Sequence, residues 1–185
     1  MQTLQPIDPA GVTGKTKQIF DHLQKNLGMV PNLMRTLANS PAALNAYISF
    51  NSALGEAKLP THIREQIAIA VASLNACDYC LSAHTALGKL AGLDEADLEA
   101  ARTAQAADGR TGAILQFAAT VVRNRGHVTA SQVAELRAHG VSDAEITEIV
   151  AAVALNIFTN YFNHLAGTEI DFPEVRSAVA AQEKH

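Results

Sequence analysis

Ile67-Ala68-Ile69-Ala70-Val71-Ala72-Ser73-Leu74-Asn75-Ala76-Cys77-Asp78-Tyr79-Cys80-Leu81-Ser82-Ala83-His84 is the stretch on which the reading of this chain turns. Its first six residues are apolar with no polar face, which in a helix means burial on every side. Asn75 then offers a break, and a second helical segment runs from Cys77 to Leu90 and stops at Gly92. In a continuous helix Glu65 and Cys77 would lie ~18 Å apart at 1.5 Å per residue. A reversal near Asn75 to Cys77 instead lays the two helices antiparallel and brings Glu65 level with His84. Cys77, Cys80 and His84 share one face of the second helix, since residues three and four apart are neighbours.

Working outward, helical signals follow one another and no convincing strand appears. Residues 15–27 read as a helix with Gly28 as its stop, and Pro31 opens a brief helical turn. Ser40-Pro41 is an N-cap followed by proline at the first helical position, for a helix reaching Leu54-Gly55. Pro60-Thr61 begins the buried helix. Asp94 to Ala104, Thr111 to Arg125, Thr129 to His139 and Ser142 to Leu165 complete the main set. Thr129 with Gln132 and Ser142 with Glu145 have capping-box spacing, and Asp171 with Glu174 has it too, for a short C-terminal helix. At a shift of 81 residues Ala70, Leu74 and Asn75 match Ala151, Leu155 and Asn156, a faint internal two-fold repeat. In that register Cys77 and Cys80 fall on Phe158 and Tyr161, so the second copy has no thiols. We expect one domain over 1–185: an N-terminal helical arm at 1–55, a cysteine-bearing half at 56–125, a second helical half at 126–170 and a C-terminal helix or tail at 171–185.

Composition agrees with an all-α protein. Of 185 residues, 48% are hydrophobic, 17% charged and only 5% aromatic, with no Trp. Abundant alanine lets helices pack closely, and the low charge favours a homo-oligomer that covers apolar surface. A net charge of −4 with scattered Lys and Arg argues against a nucleic-acid partner. Arg123-Asn124-Arg125, the densest basic spot, suits a helix C-terminus. The start, Met1 to Pro6, has neither a basic nor an apolar leader region, and the apolar runs near 67–74 and 149–158 fall short of the ~20 residues of a membrane span. No membrane association and a cytoplasmic location are the expectation.

Cys77 and Cys80 are the only cysteines. Their spacing suits a dithiol that cycles to a disulfide, or a metal clasp. In a reducing cytosol the pair rests reduced, so it is either catalytic or metal-bound. A haem attachment site is excluded because Leu81 follows Cys80 where histidine would be required. Zinc would have three ligands in Cys77, Cys80 and His84 and would need Glu65 or a distant histidine as the fourth. The redox reading has a matching relay: Glu65 orients His84, and His84 takes the proton of Cys80, whose thiolate is the nucleophile. The first-turn position favours a thiolate through the helix dipole, while the Asp78 carboxylate opposes it. His164 and Tyr161 are further candidates for the same pocket, or else packing residues.

Glu65 followed by Cys77-x-x-Cys80-x-x-x-His84 resembles the active-site pattern of the alkylhydroperoxidase AhpD-like proteins of the carboxymuconolactone decarboxylase superfamily. Val30-Pro31-Asn32-Leu33-Met34, Asn39-Ser40-Pro41-Ala42, Tyr47, Asn163-His164 and Thr168-Glu169-Ile170-Asp171-Phe172-Pro173 resemble its peroxidase-related branch, so the likeness covers nearly the whole chain. The resemblance implies an all-helical AhpD-like fold with an internal repeat, assembled as trimers or hexamers, and thiol peroxidase chemistry on hydroperoxides. It makes Cys80 the peroxidatic thiol, activated through His84 and Glu65 with a water in the relay, and Cys77 the resolving thiol. It implies no bound cofactor or metal, and recycling by an external dithiol, which in the family can be a lipoyl-bearing protein. Better-known members carry histidine between the cysteines where this chain has Tyr79, which is no base at neutral pH but has a hydroxyl suited to binding peroxide. Decarboxylase members lack the dithiol, so lactone decarboxylation is not expected. Two rival readings are a protein disulfide reductase or redox-sensing module, and a non-enzymatic oligomer with a Cys/Cys/His zinc site.

Overall fold

The computed structural model describes residues 2–178 and, among them, has nine α-helices, a 3-10 turn at Pro9–Gly11 and no strand. The helices are α1 Gly14–Leu27, α2 Asn32–Leu37, α3 Pro41–Gly55, α4 Thr61–Leu74, α5 Asp78–Leu90, α6 Glu95–Arg102, α7 Gly109–Arg123, α8 Ala130–Ala138 and α9 Asp143–Ala166. The protein is all-α, as its sequence leads one to expect.

The centre of the fold is α4. Ile67 to Ala72 are each no more than 2% exposed, because α5, α6, α7 and α9 surround this helix. A helix with neighbours on four sides has no face for polar groups, which is why the run carries none. Gly88 lets α5 come close: a Cβ there would sit 2.9 Å from Leu98 and 3.1 Å from Leu93. The capping boxes at Thr129–Gln132 and Ser142–Glu145 both form, and Asp94 with Asp97 makes another at the start of α6.

The reversal between α4 and α5 is built from a C-terminal cap and an N-terminal cap that share one residue. The Cys77 N–H donates to Ala72 O at 2.9 Å and the Ala76 N–H to Ser73 O at 3.2 Å, with Ala76 left-handed at φ 53°. These are the two bonds of a Schellman motif, in a position that usually falls to glycine. Cys77 is at the same time the N-cap of α5, its sulfur accepting from the Cys80 N–H at 3.4 Å. Backbone closure of one helix and side-chain capping of the next therefore fix the thiol in place.

The expected C-terminal helix from Asp171 is not formed within the described residues; 179–185 lie outside them. Residues 171–178 are irregular and lie as a strap over the start of α5. The Asp171 carboxylate does cap a helix, but a distant one: it accepts from the Asn32 N–H at the start of α2, at 2.6 Å. Ser82 Oγ accepts from the Val175 N–H at 2.9 Å and donates to Asp78 O at 2.8 Å, while the Ser177 N–H donates to Asp78 Oδ1 at 2.8 Å. Backbone groups engaged this way by another element are not available for a local helix, and Pro173 has no N–H to contribute.

By length and composition α9 could cross a membrane, but half of its most apolar window is buried inside this fold. Its outer face carries Val150, Phe158, Tyr161 and Leu165, all exposed.

Replacing Ala76 with Gly removes the left-handed strain at the reversal while loosening the unfolded chain. We expect a net gain of about 0.5–1 kcal/mol, read from urea unfolding. A loss of similar size would mean that Ala76 is not held left-handed.

Candidate active site

Two helices bring the sequence-derived residues together, and a third adds to them. Glu65 on α4 accepts from His84 on α5, Oε2 to Nδ1, at 2.7 Å. The antiparallel reversal thus produces the pairing expected from the spacing. Cys77 and Cys80 are free thiols with their sulfurs 2.7 Å apart, each only 2% exposed. Asn163, on α9, donates from Nδ2 to the Cys80 sulfur at 3.2 Å. Its neighbour one turn back, Asn160, also faces Cys80 and accepts from Asn75 Nδ2 at 2.9 Å.

These neighbours decide which sulfur carries the charge. Burial disfavours a Cys80 thiolate, but the Cys77 S–H, the positive charge of His84 and the Asn163 and Asn160 amides together outweigh it. The Cys80 thiol falls from its usual 9.0 to about 6. Cys77 is driven the opposite way, first by donating its hydrogen bond to Cys80, then by burial and the Cys80 charge. Burial disfavours the charged form of His84, yet the Glu65 charge and hydrogen bond raise its pKa above the ordinary value. The favoured arrangement is a Cys80 thiolate beside a His84 whose charged form Glu65 stabilises. Asp78 is turned away toward the strap, on Ser177 and Arg176. It therefore opposes Cys77 and is not among the main influences on Cys80.

Cys80 and His84 open on a cavity of about 310 Å³. Leu23 and Leu27 of α1, Met34 of α2, Ile48 of α3, Leu87 of α5 and Phe172 of the strap line it with apolar surface. The N-terminal arm is thus a wall of the site. Tyr47 also lines this cavity; burial, then the Cys80 and Glu65 charges, push its pKa upward, so it keeps its O–H proton. Tyr79 contributes its ring to the wall, edge-on to Phe172 at 5.9 Å. Its hydroxyl accepts from the Leu33 N–H at 3.1 Å, tying α5 to α2.

His164 and Tyr161 do not reach this cavity. His164 pairs through Nε2 with Asn75 O at 2.8 Å, and Tyr161 is 61% exposed on the outer face of α9. The second half of the chain serves the site through Asn163 and Asn160 instead. Asn163 stood in the sequence within the Asn163-His164 segment quoted for the resemblance, and no local pattern set it apart from Asn156, Thr159 and Asn160, polar residues of the same helix. Among the described residues no group of three or more His, Cys, Asp or Glu is placed to hold a metal ion.

An all-helical fold with a buried CxxC, a histidine one turn on and a glutamate on the preceding helix defines a class. The family model described as Carboxymuconolactone decarboxylase family matches residues 41–123. A peroxidase-related protein from Silicibacter sp. TM1040 is 28% identical, with a TM-score of 0.80 over 91% of this chain and 92% of its own. A second, from Ralstonia eutropha JMP134 and described as an alkylhydroperoxidase AhpD core, is 26% identical, with a TM-score of 0.83 over 89% of each chain. The debrominase Bmp8, solved with 2,3,4-tribromopyrrole, shares the fold at 22% identity and a TM-score of 0.78, over 92% of each chain. No curated protein matches the chain significantly. Less than half of the chain, residues 41–123, thus resembles the carboxymuconolactone decarboxylase family. Its fold is similar to that of the AhpD-like, peroxidase-related proteins.

The electrostatic account has a direct test in thiolate absorbance against pH. Reduced protein is expected to titrate near 6 at Cys80. Asn163→Leu removes a donor, and Glu65→Gln removes the charge that keeps His84 protonated. Each is expected to raise the Cys80 value by about one unit, or roughly 1.4 kcal/mol. An unchanged midpoint in both variants would refute the assignment.

Proposed function

We propose that this protein is a thiol peroxidase that reduces organic hydroperoxides through Cys80 and Cys77. The observation that carries the reading is a low-pKa Cys80 sulfur at the end of an apolar cavity with the second thiol 2.7 Å away. The family match over residues 41–123 and likeness to peroxidase-related proteins support it.

In this mechanism the Cys80 thiolate attacks the terminal oxygen of the peroxide. The S–O bond forms as the O–O bond breaks, Cys80 becomes a sulfenic acid, and the alkoxide takes a proton from His84 to leave as alcohol. Glu65 keeps His84 oriented and charged, acting as a positioning residue. The Cys77 sulfur then displaces hydroxide from Cys80, releasing water and closing a disulfide before Cys80 is oxidised further. An external dithiol, for which a lipoyl group on a protein is the candidate, returns both thiols by exchange. No bound cofactor enters. The lining favours an apolar organic hydroperoxide over hydrogen peroxide, with the Tyr47 hydroxyl and the Tyr79 ring as cavity walls. A protein disulfide reductase would need a thiol that a folded partner can touch, and both sulfurs here are 2% exposed. A cytoplasmic location, where dithiol reductants are available, belongs to the same proposal.

With dihydrolipoamide as reductant, Cys80→Ser is expected to abolish hydroperoxide consumption. Cys77→Ser should complete one turnover and accumulate a sulfenic acid that dimedone traps. Activity surviving in both variants would sink the mechanism. Oxidation of reduced protein should quicken as pH rises through about 6, where Cys80 ionises. It should slow again above the raised pKa of His84, once that acid is lost.

We also propose that the apolar outer face of α9 is where copies of the chain meet as a trimer or hexamer. Light scattering on the purified protein should give three or six chains, and Phe158→Asp should shift it toward one. A wild-type monomer at working concentration would overturn this.

A further inference from the structure

The two sulfurs open on different cavities, and the peroxide reaction uses only one of them. Cys80 faces the apolar cavity under α1. Cys77 lines a second cavity, of about 300 Å³, with Asn163, His164, Thr168, Ile170 and Arg176 around it. Tyr79 is the sole residue that lines both. The strap forms part of the division, giving Phe172 to the first cavity and Arg176 to the second. The second is also the more polar. Its Thr168 hydroxyl is buried with no hydrogen-bond partner among the described residues.

We propose that the Cys77 cavity is the reductant site: a slender dithiol enters it and attacks Cys77 of the oxidised pair, while hydroperoxide uses the Cys80 cavity. This rests on the peroxidase reading for how the disulfide arises, but the exchange itself does not depend on the oxidant.

Three observations support it. A thiolate attacks a disulfide along the S–S axis, from the side away from the leaving sulfur. A nucleophile aimed at Cys77 therefore needs space bounded by Cys77 and not by Cys80, which this cavity supplies. Secondly, the better leaving sulfur is the one whose thiolate is better stabilised. Cys80 leaves toward the Asn163 amide and His84, whereas Cys77 has the Cys80 N–H at a longer 3.4 Å and the opposing Asp78 charge. Thirdly, Cys77 is 2% exposed, so only a narrow thiol-bearing arm reaches it and the face of a folded dithiol protein does not.

The step balances as a two-electron exchange. The first reductant thiolate forms an S–S bond to Cys77 as the Cys77–Cys80 bond breaks and Cys80 departs as thiolate. The second reductant thiolate attacks its own partner sulfur in the mixed disulfide. Cys77 leaves and takes a proton, and the reductant departs as a cyclic disulfide.

The test begins with protein oxidised by diamide, so it needs no peroxide activity. A brief exposure to glutathione, an acid quench and fragment-ion mapping are expected to place the adduct on Cys77; an adduct on Cys80 would overturn the proposal. Ile170→Trp, which narrows the Cys77 cavity, should slow reduction by dihydrolipoamide about tenfold and leave disulfide formation by cumene hydroperoxide unchanged. Ile48→Trp, in the other cavity, should do the reverse. Equal slowing of both half-reactions by each variant would mean one shared entrance, and a folded CxxC protein reducing as fast as dihydrolipoamide would refute the slender-arm requirement. Adduct mapping uses the wild-type chain, so it decides the matter even if a variant fails to fold. Failure of the peroxidase reading would be seen separately, as no disulfide formed with hydroperoxide.

Discussion

A thiolate in a protein interior survives only where donors and positive charge replace the water it has lost, and Cys80 depends on that replacement. Each compensating group comes from a different part of the chain. Cys77 donates from the reversal, His84 brings its charge from one turn along α5, Glu65 on α4 keeps that charge in place, and Asn163 reaches in from α9. The site is therefore a statement about helix packing. A shift of α9 along α4 would remove the amide donors without touching the CxxC motif.

That packing is governed in turn by α4. Because its run from Ile67 to Ala72 must be buried on all sides, the helices around it are held in fixed relation to one another. The tight reversal at Ala76 then leaves Cys77 no freedom: its N–H closes α4 and its sulfur caps α5. The thiol pair is thus held close without a covalent bond. The strap completes the enclosure by tying Asp78 and Ser82 of α5, and by placing Asp171 on the N-terminus of α2. Burial of the sulfurs, and the separation of the two cavities, follow from these polar ties.

Much of the site could be read from local spacing. A fully apolar helical run, a break at Asn75 and the 77/80/84 periodicity were enough to place Glu65 against His84, because a reversal converts sequence distance into facing positions by simple geometry. The balance between the α5 dipole and Asp78 could not be read, since it hinged on where the carboxylate points. Tertiary contact turned Asp78 to Arg176 and Ser177. The Asp171–Glu174 pattern misled for the same kind of reason. A capping residue announces that it will accept from a helix N-terminus, but not whose, and Asp171 accepts from α2.

By itself the sequence determined an all-helical chain, the antiparallel pair that carries the site, and the cysteines, histidine and glutamate that meet there. These depend on periodicities of three and four residues and on local caps, which act within a turn or two of chain. Only the tertiary structure decided that Asn163 and Asn160, and not His164 or Tyr161, face the Cys80 sulfur. It also decided that the strap is extended, and that the two thiols look into separate cavities. Those outcomes depend on how α9 rotates about its axis and on hydrogen bonds spanning more than eighty residues, such as Asn163 to Cys80, and local spacing carries no information about either.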